Sequence, residues 1–227
     1  MLDGGVQDRG SSVEHPVVLL YTRFFEFPVS RVVEVLQRVR ERVPEARLLV
    51  VGKGLFGEEK ELLRLAAESG LSVANYASRI TDHASRVTHH VSRFTFHVSG
   101  SVPDVTYLGW VSPEALPSCF AQADVAIYPF DDTLVNRTKC AVKLVDLLAA
   151  GVVVVAEAVG QNREYVRHGE TGWLVEAGDV DGFAGAVVRL LQDEVLRERL
   201  GQAAARDVRE RFAWERLVAV VEQAYGN

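Results

Sequence analysis

VVLLYTRFFEFPVSRVVEVLQRVRERVPEARLLVVGKGLFGEEKELLRLAAESG, residues 17–70, decides the fold. VVLLYT (17–22) is a short apolar, β-branched run that fits a buried strand. In 29–43, Val32, Val35, Leu36, Val39 and Val43 recur at spacings of three and four. That spacing predicts an amphipathic helix, stopped by Pro44. ARLLVVG (46–52) reads as a second strand ending in glycine, and EEKELLRLAAESG (58–70) as a helix closed by Gly70. Strand, helix, strand, helix in this order implies a parallel sheet with helices on its faces.

The alternation resumes downstream. Strands are expected at 105–110, 124–130, 152–158 and 172–176, with helices at 113–123, 141–150 and near 162–169. The run VVVVAEA (152–158) is almost purely β-branched, as a strand covered on both faces should be. Three helical stretches follow at 180–192, 194–211 and about 213–225. The expected fold is α/β, a doubly wound parallel sheet forming a single Rossmann-like domain over 16–227 with C-terminal helices. Residues 1–15 read as a flexible lead-in. The whole chain is 227 residues, about one full domain or two small ones.

Residues 77–99 break the rhythm. They read ASRITDH, ASRVTHH, VSRFTFH and then VS, a seven-residue unit of small–Ser–Arg–apolar–Thr–x–His. Four of the six histidines lie here, and His83, His90 and His97 would share one face of a helix. The β-branched and hydroxyl residues form helices poorly, however, and no carboxylate or thiol cluster joins the imidazoles. No metal site is expected. The segment reads as a repeat-derived polar insertion, at about 77–102, between helix 58–70 and strand 105–110.

Composition narrows the function. Charged residues are 25% and hydrophobic ones 48%, ordinary for a chain with a large core. The 25 basic and 31 acidic residues give a net charge of −6, which argues against a nucleic-acid coat protein. Cys119 and Cys140 are too few for a disulfide framework and read as reduced, partly buried thiols. The polar start MLDGGVQDRGSSVEHP lacks a signal-peptide core, and no apolar window spans a membrane, although peripheral membrane contact stays open. A cytoplasmic location is expected.

Ligands of doubly wound sheets sit at the C-terminal ends of the strands. Arg23, after strand 17–22, is the first candidate. The second is DDTLVNRTKCAVKLVD (131–146), which carries Arg137, Lys139 and Lys143 beside Asp131, Asp132 and Asp146. Lys143 and Asp146 are three apart, so they share a helix face. A cation at a helix N-terminus opposes the dipole and makes better sense facing an anion such as phosphate. Basic groups for a diphosphate and an acid for ribose hydroxyls are the logic of nucleotide recognition. Spacing alone fits a solvated face with an i, i+3 ion pair slightly better, because the motif is not a sharp one. AVGQN (158–162), a glycine turn before a helix, is the third candidate.

KLVDLLAAGVVVVAEAVGQNREYVRHGETGWLVEAGD (143–179) resembles the C-terminal domain of group 1 (family 4) glycosyltransferases, enzymes of the GT-B fold. LYTRF (20–24), LLVVGKG (48–54), VTYLGWV (105–111), ADVAIYPF (123–130) and RFAWE (211–215) extend the likeness over about 17–72 and 104–225. The resemblance implies half of a GT-B fold that binds a nucleotide-activated sugar, UDP- or GDP-linked, as substrate and without a further cofactor. It implies that Arg23 and Lys143 face the donor phosphates and Asp146 the ribose. Arg137 lies in the same basic stretch. Gly160, Gln161 and Asn162 take the place of the glycine-rich turn near the sugar and diphosphate, with Glu164 as the acid that follows. Thr138 stands where the first glutamate of the family's pair belongs, Asp146 replaces the second, Val152 a proline and Gln161 a glycine. The expected function is the donor-binding half of a retaining glycosyltransferase that hands a hexosyl group to an acceptor, partnered by a separate N-terminal domain. The alternative is a non-catalytic nucleotide-sugar binding module, or a truncated or split remnant.

Overall fold

The computed structural model describes residues 15–77 and 102–226. The seven-residue repeat, apart from Ala77, and most of the lead-in lie outside the described residues.

Seven parallel strands form one sheet: β1 (Val17–Tyr21), β2 (Arg47–Val51), β3 (Val73–Asn75), β4 (Val105–Gly109), β5 (Val125–Tyr128), β6 (Val154–Glu157) and β7 (Trp173–Val175). Their spatial order is β3-β4-β2-β1-β5-β6-β7. The helices between them are α1 (Val29–Arg42), α2 (Glu58–Glu68), α3 (Leu116–Phe120), α4 (Leu134–Thr138), α5 (Val142–Ala149) and α6 (Asn162–Tyr165). After β7 come α7 (Val180–Gln192), α8 (Glu194–Arg211) and α9 (Trp214–Tyr225).

The period-two rule sorts each strand's side chains onto two cores. Val18, Leu20, Leu48, Val50, Val125, Ile127 and Val155 pack with α1, α2 and α7 on one face. Leu19, Tyr21, Leu49, Val51, Ala126, Tyr128 and Val154 pack with α3, α5 and the second half of α8 on the other. Double winding is therefore a direct product of strands that are apolar on both sides. Side-chain caps start the late helices: Asp179 accepts from the Gly182 amide at 2.9 Å, and Asp193 from the Leu196 amide at 2.9 Å.

Strand order reverses between β1 and β5, with β2 and β4 on one side and β6 and β7 on the other. That reversal opens a crevice at the C-terminal ends of β1 and β5.

Two expectations need correction. β3 was not foreseen, and it pairs in parallel with β4, Val73 opposite Val105. Residues 76–104 therefore join β3 to β4 rather than a helix to a strand. Three residues with a half-buried pattern gave too weak a periodic signal. Second, Cys119 is buried but Cys140 is exposed, because Cys140 lies in the loop between α4 and α5.

Candidate functional site

Three loops meet at the crevice. β1 runs into Thr22 and Arg23, then turns sharply at Phe24, whose φ of 70° is left-handed. The Thr22 hydroxyl oxygen accepts from the Phe24 amide at 2.8 Å, and the Phe24 ring is buried, so the turn is held in this strained form. Arg23 is thereby left exposed at the rim. Gly52, at the end of β2, reaches the Thr22 carbonyl so closely that a Cβ would lie 1.8 Å from its oxygen.

From β5 the chain continues through Pro129 and Phe130 into α4 and then α5. α5 follows Ala141 at its N-cap, which offers no side-chain cap, and has no acidic residue in its first turn, where Lys143 lies. The Lys143 ammonium lies 3.6 Å from the centre of the Tyr21 ring. Burial, then the charge of Arg23, pushes the Lys143 amine down to about 8. Burial raises the Asp146 carboxyl above its ordinary value, against the pull of Lys143. Tyr21 is raised by burial and by Asp146, while Arg23 lowers it, so all four groups share one neighbourhood. A water-sized cavity of about 10 Å³ sits beside them, lined by Tyr21, Thr22, Glu26, Tyr128 and Lys143.

Pairing divides the charges into two sets. Arg137 grips Asp132 with two bonds of 2.5 and 2.7 Å at the exposed end of α4, and Lys139 is paired with Glu26. Among the described residues, Arg23, Lys143 and Asp146 make no salt bridge or side-chain hydrogen bond. The i, i+3 ion pair that spacing allowed between Lys143 and Asp146 does not form, because the ammonium lies over Tyr21 instead.

The third loop is the 158–162 turn. Gly160 has φ of 49°, and a Cβ there would lie 2.6 Å from the Arg137 carbonyl oxygen. Only glycine lets the turn press on α4 in this way. Gln161 accepts from the Tyr165 hydroxyl at 3.1 Å, and that hydroxyl touches Cys140 Sγ at 3.5 Å. Asn162 is buried; its amide donates to the Glu157 carbonyl at 3.0 Å, while its side-chain oxygen has no partner. Glu164 is exposed, with its main-chain oxygen held by Arg211 at 2.8 Å. The structure thus brings Arg23, Lys143 and Asp146 together, sets Gly160, Gln161 and Asn162 along the neighbouring loop, and turns Arg137 and Glu164 outward. Thr138 donates its hydroxyl back to the Leu134 and Val135 carbonyls of its own helix.

Sequence reasoning missed three residues. Tyr21 looked like an ordinary strand residue. Glu26 sits in an irregular loop with no motif. Glu157 is fully buried at the end of β6, where it accepts from Arg31 at 2.9 and 3.1 Å, from the Gly178 amide at 2.6 Å, and from the Phe130 amide. Arg31 also meets Asp131 at 2.5 Å. The signal available was an acid inside an otherwise apolar strand, which must find a partner. No group of three or more metal-ligating side chains occurs among the described residues.

The family model described as "Glycosyl transferases group 1" matches residues 88–193. The GDP-mannose-dependent alpha-(1-6)-phosphatidylinositol monomannoside mannosyltransferase of Mycobacterium tuberculosis is 30% identical over 215 residues, 91% of this chain and 46% of that protein. The chain spans between 22% and 46% of the length of the curated relatives it matches. In fold it is similar to Anabaena HepE, solved with UDP and glucose, with TM-score 0.66 and 18% identity over 94% of this chain and 49% of that one. It is also similar to the C-terminal domain of the group 1 glycosyltransferase LpcC of Francisella tularensis, with TM-score 0.59 and 16% identity. There the likeness covers 87% of this chain and 86% of that domain.

Proposed function

We propose that this chain, a relative of the group 1 glycosyltransferases in sequence and in fold, is the donor-binding lobe of a retaining, nucleotide-sugar-dependent glycosyltransferase. The carrying observation is the unpaired trio of Arg23, Lys143 and Asp146 beside the bare N-terminus of α5, at the point where the strand order reverses. Two cations and a helix N-terminus suit a diphosphate. A half-buried carboxylate suits a pair of ribose hydroxyls. The 158–162 turn, where the side-chain oxygen of buried Asn162 has no partner, is the loop assigned to the sugar in this reading. The HepE neighbour, solved with UDP and glucose, supports a UDP-linked donor, and the mannosyltransferase relative a GDP-linked one.

In transfer, the bond from the anomeric carbon to the β-phosphate oxygen breaks and a bond to the acceptor oxygen forms. The acceptor's proton passes to the departing phosphate. The residues here would neutralise charge growing on that phosphate, the electrostatic part of the rate. Holding the acceptor and excluding water needs a second wall over the crevice. Exposed apolar side chains on the loops at this rim support such a covering lobe: Leu55 is 74% exposed, Phe56 87% and Trp110 61%. A separate N-terminal glycosyltransferase domain is the partner proposed for that role. The second reading, a nucleotide-sugar binding module without transfer, draws on the single lobe of the described residues.

Thermal-shift screening of the 227-residue chain against UDP, GDP and their sugars tests the proposal. A ligand at about 100 times its Kd adds about 2.7 kcal/mol to stability. Stabilisation by one nucleotide series supports the reading. No shift with any of them at millimolar concentration contradicts it.

A further inference from the structure

Glu26 stands in the β1–α1 loop with its side chain 8% exposed. One carboxylate oxygen pairs with the Lys139 ammonium, which is 34% exposed. The other, Oε2, is buried without a hydrogen-bond partner, and Glu26 lines the same water-sized cavity as Lys143. The loop is fixed from behind: the Glu26 carbonyl accepts from the Asp131 amide at 2.7 Å and the Asn136 side-chain amide at 2.9 Å. Lys143 feels the charges of Arg23, Asp146, Glu26 and Lys139 together. Three cations therefore face two carboxylates in one cluster.

A buried carboxylate half-paired among cations does to them what a ligand phosphate would do. We propose that Glu26 is a resident counter-anion and specificity-determining residue of the anion site, one that lowers its affinity for bare phosphates so that nucleoside contacts decide what binds. The inference rests on the donor-site reading above and deepens it. Glu26 occupies Lys139, which leaves Arg23 and Lys143 as the cations free for a diphosphate. Its own charge opposes every anion entering the crevice. A ligand held only by charge, such as pyrophosphate, suffers this in full. One that also engages Asp146 through its ribose has a second source of affinity.

The test uses calorimetric titration of the full chain with UDP, GDP, inorganic pyrophosphate, uridine and guanosine. Glu26→Gln keeps the shape and a hydrogen-bond acceptor for Lys139. It is expected to tighten pyrophosphate and the diphosphates by about tenfold, the scale of one charge removed from a partly buried site, and to leave the nucleosides unchanged. Its binding of pyrophosphate should also weaken more steeply with salt. Lys139→Gln, at a more exposed position, leaves the carboxylate without its cation and should weaken the same anions by about tenfold, again sparing the nucleosides. Glu26→Gln binding pyrophosphate like wild type, or weakening nucleosides and anions alike, would overturn the counter-anion role and leave the donor site standing. A wild-type chain that binds none of the five probes would sink the donor site and this inference with it.

Discussion

Removing the positive end of the Arg31–Glu157 pair should be the most damaging single change at the crevice. Glu157 is fully buried, and three donors make four contacts to its carboxylate: two from Arg31 Nη1 and one each from the amides of Phe130 and Gly178. These donors come from α1, from the segment after β5, and from the loop between β7 and α7. One carboxylate thus ties together three elements that shape the crevice. Arg31→Met leaves that carboxylate with two amides and no counter-charge, a change that costs about 3–5 kcal/mol in comparable buried pairs. For a domain of this size that is about 2–4 °C of Tm for each kcal/mol. Glu157→Gln keeps an acceptor for the amides and leaves Arg31 its contact with Asp131, so it should cost less, about 1–3 kcal/mol. Combining the two removes the stranded charge. Urea unfolding, read as midpoint with slope unchanged, should then show the double variant more stable than the sum of the singles requires, by more than about 1 kcal/mol. Losses that add to within about 0.5 kcal/mol would refute the idea that the pair acts as one unit.

Further outcomes are expected. Because the folded Lys143 amine sits near 8, below its unfolded value, the unfolded chain holds more protons between those limits. The destabilisation from this group is thus full below pH 8 and is relieved as pH rises. The same deprotonation removes a cation from the anion site. Diphosphate affinity should fall by up to about tenfold per pH unit above pH 8, a slope that Lys143→Met should flatten. Asp146→Ala should weaken both a nucleoside and its diphosphate by about 1–3 kcal/mol in calorimetry, and equal binding to wild type would reduce that helix face to a solvated one. Deleting 76–102, the proposed insertion, leaves only Pro103 and Asp104 before β4. A parallel crossover needs a dozen residues or more, so β3 should detach. The other six strands should stay folded, with helical circular dichroism retained and Tm lowered; an insoluble variant would show that the segment belongs to the core.

The frame of the fold was legible because its strands are apolar on both faces and its long helices keep their spacing. Strand 17–22 and the helices expected at 180–192 and 194–211 end within a residue of β1, α7 and α8. β3 was not legible, since Val73, Ala74 and Asn75 carry no alternation. α4 hid inside a polar stretch read only for its charges. That Arg23, Lys143 and Asp146 come near one another was legible by position, each following a strand that ends at the crevice. What spacing left open was whether Lys143 pairs with Asp146; the Tyr21 ring decides that, and it lies in a distant segment. Glu26 and Glu157 were out of reach for the same reason, because their meaning depends on Lys139 and Arg31, partners 113 and 126 residues away in sequence.

The direct measurement is the affinity of the full chain for a nucleoside diphosphate, UDP or GDP, with and without its two unpaired cations. Calorimetry on wild type and on Arg23→Met/Lys143→Met should show the diphosphate bound by wild type. The double variant should bind it at least about tenfold more weakly, the loss expected from two charge-assisted contacts, with the nucleoside little affected. Diphosphate binding that survives both substitutions, or its absence from the wild-type chain, would contradict a donor site at the crevice between β1 and β5.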